Sequence, residues 1–161
     1  MQEGVELTGS YDHGPWSVYG NLALSRAMGK DIVSAQYNFA PDELAFIANN
    51  WIHLDHDQLW TGSAGIAYTA NGDSEHPTRV SVDAIVQSSL RAGFANLQTL
   101  SPYGVVNLSV VQKVAARTEL RLDILNVGDN VYEIRDGTGV GVGAPQYGIR
   151  RTILAGVTQR F

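Results

Sequence analysis

A chain of 161 residues, 44% hydrophobic and 17% charged, is long enough for one domain with a core of its own. Its net charge of −5, with no run of like charges, excludes the basic stripe that nucleic-acid binding needs. No stretch approaches the ~18 apolar residues of a membrane helix, and the lack of cysteine excludes disulfides and thiolate metal sites.

The opening Met1-Gln-Glu-Gly-Val-Glu6 has neither the basic nor the apolar part of a signal peptide, so an exported protein of this kind is expected to have a further N-terminal part. Seven segments then alternate with period two, each bounded by turn chemistry. The first, 3–12, sets Val5, Leu7, Gly9 and Tyr11 against Glu6, Thr8, Ser10 and Asp12, and His13-Gly14-Pro15 turns the chain. The second, 16–27, sets Trp16, Val18, Leu22 and Leu24 against Ser17, Tyr19, Asn21 and Ser25. A short helix is predicted over Pro41–Asn50, with Pro at its first turn and Asp42 and Glu43 at its positive end.

The third strand, 58–70, sets Trp60, Ala64, Ile66 and Tyr68 against Thr61, Ser63, Gly65 and Thr69. The fourth, 78–92, sets Val80, Val82, Ala84, Val86 and Leu90 against Arg79, Ser81, Asp83, Gln87, Ser89 and Arg91. The fifth, 103–114, has Val106, Leu108 and Val110 on one face, and the sixth, 117–127, has Leu120, Leu122 and Ile124. The last, 152–161, carries Ile153, Ala155, Val157 and Phe161 on one face and ends the chain on an aromatic residue.

These strands are longer than the ~5–6 residues of an average globular strand and suit a tilted membrane crossing. Trp60 and Tyr68 share a face at a spacing of roughly 20–25 Å, as two aromatic girdles require. The connections alternate: short at 12–15, 71–77 and 114–117, long at 28–57, 92–102 and 128–150. Outer-membrane barrels sort their loops in this way, short on the periplasmic side and long outside. The fold class expected is therefore all-β, an antiparallel transmembrane β-barrel segment of about seven strands. Bacterial single-chain barrels have even numbers from eight upward, so more strands are expected beyond it. Two other readings give similar alternation. One is a small structural or adhesive outer-membrane barrel, the other a soluble β-sandwich binding module.

The charged residues of the second face, Glu6, Asp12, Arg79, Asp83, Arg91, Glu119, Arg121 and Asp123, are expected to line a watery lumen in ion-pair ladders. Gly137-Thr-Gly-Val-Gly-Val-Gly143 lacks the strand–turn–helix setting of a nucleotide fingerprint and is read as turn glycines in an external loop. His53, Asp55, His56 and Asp57 have the donor types of a divalent-metal site but are read as a solvated loop-to-strand junction, so no metal or cofactor is expected. No nucleophile–base–orienter set is present, and no enzymatic activity is expected.

The last third carries a resemblance. Leu120-Arg-Leu-Asp-Ile-Leu-Asn-Val-Gly-Asp-Asn-Val-Tyr132, the glycine-rich stretch Ile134–Gly148 and the terminal strand ending at Phe161 resemble the C-terminus of TonB-dependent outer-membrane receptors. Asn126, Asp129 and Tyr132 match that family's pattern, Val127-Gly128 stands where Leu-Phe is usual, and the 55–58 strand entry with Thr61 and Tyr68 looks like its mid-barrel strands. The resemblance implies the C-terminal part, residues 1–161, of a 22-stranded barrel whose plug domain and signal peptide lie outside this sequence. It implies TonB-dependent uptake of a ferric siderophore or similar nutrient across the cell outer membrane of a Gram-negative bacterium. The partners implied are outer-membrane lipid, the rest of the receptor barrel and plug, the TonB complex through the N-terminal part, and the barrel assembly machinery. Phe161 looks like that machinery's signal, although Gln159 stands where an apolar residue is usual. The long loops are the expected ligand-facing parts, with Tyr37, Phe39, Trp51, His53, Tyr132, Arg135 and Tyr147 as candidates, since aromatics and Arg suit planar or anionic ligands.

Overall fold

The computed structural model describes residues 1–32, 40–55, 57–137 and 143–161. In chain order its elements are β1 (Gln2–His13), β2 (Trp16–Gly29), α1 (Pro41–Asn49), β3 (Ile52–His53), β4 (Trp60–Ala70), β5 (Thr78–Gln87), β6 (Arg91–Ala92), the 3-10 turn η1 (Phe94–Asn96), β7 (Gln98–Thr99), β8 (Tyr103–Ala115), β9 (Thr118–Leu125), β10 (Glu133–Arg135), β11 (Gln146–Tyr147) and β12 (Thr152–Gln159). All seven alternating segments are strands, and they form one antiparallel sheet in the order β1-β2-β4-β5-β8-β9-β12. The protein is all-β. The sheet stays open: β1 and β12 are its two edges and do not pair with each other.

The register makes one continuous apolar face. Leu7 pairs with Leu22, Val18 with Ile66, Ile66 with Val82, Val82 with Leu108, Leu108 with Ile124, and Ile124 with Ile153. A one-residue slip at any ladder would turn a strand's apolar set to the other side, so the alternation itself fixes the pairing. The polar face is the sheltered one. Ala67 and Val105 on it are buried, whereas Ile66, Tyr68 and Val106 on the apolar face are 46%, 39% and 44% exposed. A soluble sheet hides its apolar side; this one exposes it, and no second sheet covers it among the described residues.

Aromatic residues mark the two ends of the apolar face. Trp16 and Tyr68 are register partners with ring centroids 4.6 Å apart, and Trp60 pairs with Leu24 toward the opposite end. On the sheltered face the ring of Tyr19 lies over Gly65, leaving no room for a Cβ there.

The polar face carries fewer ion pairs than a ladder would. Arg121 binds Asp123 at 2.7 Å on its own strand, and Arg160 approaches Glu119 at 3.7 Å. Asp83 instead accepts from Asn107 Nδ2 at 2.8 Å, and among the described residues Arg79 reaches the Thr69 hydroxyl alone.

Three strands end earlier than the periodicity predicts. The fourth strand stops at Gln87, because the Ser88 hydroxyl accepts the Trp60 N–H and replaces a ladder bond. Arg91, expected on the lumen face of that strand, therefore lies in β6, which pairs only with β7. The sixth strand ends at Leu125, because Asn126 takes a left-handed φ of 50°. The last ends at Gln159, leaving Phe161 beyond the ladder and fully exposed.

Candidate functional site

The antiparallel order sends the links β1–β2, β4–β5 and β8–β9 to one end of the sheet and the three long connections to the other. The short links are true turns: Gly14 takes φ 54°, and Asn71, at φ 53°, has its carbonyl held by the Ser74 N–H. The described parts of the long connections touch one another and form a cap at that end.

The first long connection holds α1. Its start follows the expected chemistry, with Pro41 and then Asp42 and Glu43 in the first turn. It stops where Asn50 turns its N–H and its Nδ2 onto the Phe46 carbonyl, each at 3.0 Å. Ile47 is buried with Ile52 and Ala95, and Ile32, Leu44 and Phe46 pack around them. Phe46 meets Phe94 edge to face at 5.6 Å, so the helix rests on η1 of the second connection. Polar bonds fix the same contact. Ala95 N–H donates to Glu43 Oε1 at 2.7 Å, while Asn96 Nδ2 donates to the His53 carbonyl at 3.0 Å and to Asp55 Oδ1 at 2.7 Å. From the third connection, Asp136 Oδ2 accepts the Gly93 N–H at 2.9 Å.

Where β9 leaves the sheet, Asn126 is the most deeply buried of the described residues, 1% exposed. Its Nδ2 donates to the carbonyls of Asn130 and Ile149, both at 2.9 Å, and its Oδ1 accepts the Asn130 N–H at 3.0 Å. Its own N–H donates to Asn107 Oδ1 on β8 at 2.9 Å. Asp129 then grips the incoming end of β12. Arg150 binds it in a fork at 2.8 and 2.5 Å, and the Arg151 N–H adds a third bond at 3.0 Å. The Arg150 guanidinium first, and the Arg151 N–H next, hold the Asp129 carboxyl well below the usual range. Tyr132 stacks on Tyr103 with centroids 4.1 Å apart, and its ring fills the space that a Cβ on Gly148 would need. The three residues of the resemblance, Asn126, Asp129 and Tyr132, thus tie β8, β9 and β12 together.

The candidate ligand residues are dispersed. Trp51 is exposed next to the buried Ile52, and Tyr147 is exposed on β11, opposite Glu133. Arg135 lies on β10, opposite Gln146. Tyr132 is held in the Tyr103 stack. His53 Nδ1 binds Asp57 Oδ2 at 2.5 Å, and Asp57 Oδ1 accepts the Ala27 N–H at 2.7 Å, so this buried carboxylate fastens the first connection to β2. Tyr37, Phe39 and His56 lie outside the described residues. Among the described residues no three metal-ligating side chains come together. The periodicity did not single out Asn96, Tyr103 or Asp136, and it read Glu43 only as a first-turn acid. The one local signal was the Gly93-Phe-Ala-Asn96 stretch, a composition that favours left-handed turns.

The fold matches part of a known receptor. The crystal structure of the siderophore receptor PiuA from Acinetobacter baumannii superposes on 99% of this chain with a TM-score of 0.69. Sequence identity is 14%, so the likeness is one of fold, and the chain spans 22% of the length of that receptor chain. No family model matches the sequence. No curated protein matches it either.

Proposed function

We propose that this chain is part of the barrel wall of a TonB-dependent outer-membrane receptor, with its apolar face toward lipid and its polar face toward the lumen. The observation that carries the reading is an exposed apolar face running unbroken across seven paired strands. In water such a face would be a large aggregation-prone patch, whereas in a bilayer it is the ordinary outer surface of a barrel. Sorting of the long connections to one end supports it, as does the likeness to a siderophore receptor. A barrel also needs no free strand edge, and the open edges at β1 and β12 are where further strands of a 22-stranded barrel would pair.

In this role the chain catalyses no reaction. The capped end faces outward and takes part in binding a ferric siderophore or a similar scarce nutrient. The plug and the TonB complex supply the gated path, and the barrel assembly machinery inserts the wall, with Phe161 in its signal. Trp51 and Tyr147 are the best placed of the candidate contacts, because their side chains are exposed on the cap.

The test is uptake. The full receptor gene that encodes this chain, with its plug and TonB-contacting parts, would be expressed in a host strain lacking its own siderophore receptors, with and without a working TonB, and accumulation of radiolabelled ferric siderophores measured. TonB-dependent accumulation of at least one ferric complex is expected. Accumulation unaffected by TonB, or none across catecholate, hydroxamate and carboxylate siderophores, would contradict the proposal.

A further inference from the structure

The short connection between β4 and β5 holds the only Asn-Gly pair of the sequence, Asn71-Gly72. Residues 71–76 are all exposed. Every other described asparagine commits its side chain to a hydrogen bond; Asn49 Nδ2, for example, donates to the Ala45 carbonyl at 2.8 Å, and Asn130 Nδ2 to the Gly104 carbonyl at 2.8 Å. Among the described residues the Asn71 side-chain amide and the Gly72 N–H have no such partner. The Asn71 carbonyl is held instead, by the Ser74 N–H at 2.9 Å and the Ser74 hydroxyl at 2.8 Å.

We propose that Asn71 is a deamidation site, converted through Gly72 to aspartate and isoaspartate at a rate that Ser74 restrains. The Gly72 nitrogen attacks Asn71 Cγ. A bond forms between them, the Cγ–Nδ2 bond breaks, and Nδ2 leaves as ammonia with the proton from Gly72. Water then opens the cyclic imide. Opening between the nitrogen and Cγ gives aspartate, whereas opening between the nitrogen and the main-chain carbonyl gives isoaspartate, in which the chain runs through Cβ and Cγ. Glycine suits the attack because it has no Cβ to obstruct the close approach of nitrogen and carbon. The attacked amide also has no bond within the protein to give up. The Asn71–Gly72 peptide must rotate to bring the two atoms together, and the two Ser74 bonds on its carbonyl oppose that rotation. Either product sets a new carboxylate beside Asp73 and Glu75, and isoaspartate adds a backbone carbon to the turn. None of this depends on the sheet being a receptor wall.

The folded chain in detergent micelles would be kept in neutral buffer and its peptides followed over time by mass spectrometry, with fragmentation that separates aspartate from isoaspartate. Asn71 is expected to convert about tenfold faster than Asn49 or Asn130 and to give both products. Conversion no faster than at those two, or to aspartate without isoaspartate, would overturn the proposal. Gly72→Ala tests the attacking step and leaves the turn intact, because Gly72 lies outside the left-handed region and a Cβ there meets only Thr69 Cγ2, at 3.9 Å. This variant is expected to slow conversion about tenfold, and an unchanged rate would rule out attack by Gly72. Ser74→Ala removes the hydroxyl bond and is expected to speed conversion about twofold or more. A rate that stays the same or falls would contradict the restraint assigned to Ser74.

Discussion

Asn126 shows what a single residue does for this fold. It sits at a left-handed φ of 50°, where Asn is among the few tolerated side chains, and spends both side-chain polar atoms on the backbone around it. Replacing it by Ala removes the three bonds by which its side chain holds the backbone of Asn130 and Ile149. The expected loss is about 2–4 kcal/mol, read as a lowered urea midpoint in detergent. Asn126→Gly keeps the backbone conformation and is expected to lose nearly as much, which separates the side-chain bonds from the φ requirement. A change below about 0.5 kcal/mol in both variants would contradict the structural role assigned here. The sequence marks Asn126, Asp129 and Tyr132 as a recognisable pattern but not as a knot. Their partners Asn107, Ile149, Arg150 and Tyr103 lie in other strands and loops, at separations that no periodicity encodes.

At the scale of elements, the seven long strands were legible because one physical rule, alternate apolar and polar side chains, governs each from end to end. Their ends were less so. Ser88 stops β5 through a hydroxyl bond to Trp60, which lies across the sheet on β4. The short pairs β6–β7 and β10–β11 hold two or three residues per strand, too few for any period to appear. The helix was legible from its first turn, although the acid expected only to stabilise that turn, Glu43, reaches across to Ala95. The proposed lipid contact also has a consequence at this scale. Val82 lies mid-strand on the exposed apolar face between Ile66 and Leu108, and its neighbour Ser81 lies on the sheltered face. In lipid vesicles Val82→Arg is expected to destabilise the folded chain by about 2–4 kcal/mol, and Ser81→Arg by much less. Equal effects, measured by urea unfolding from the bilayer, would count against a lipid-facing Val82.

For the whole molecule, the decisive property is that its two faces ask for different solvents. The polar side carries Asp83, Asn107, Arg121 and Asp123, while the open side carries Val, Leu, Ile and aromatic residues with Gly and Ala between them. Alone in water the open side stays uncovered, and the unpaired edges at β1 and β12 add two templates for association. Which residues the long connections bring together depended on tertiary contacts and was not legible from the strands one by one, whereas seven strands, too few to close such a barrel, already implied the open sheet. The absence of cysteine from the sequence makes the face assignment directly measurable. Single cysteines would be placed in turn at Val80, Ser81, Val82, Asp83, Ala84 and Ile85 of the chain folded in lipid vesicles, and labelled with a water-soluble maleimide. Strong labelling at Ser81, Asp83 and Ile85 with protection at Val80, Val82 and Ala84 is the expected result. Uniform labelling along β5, or protection of the polar positions instead, would contradict the claim that this sheet is a wall between lipid and water.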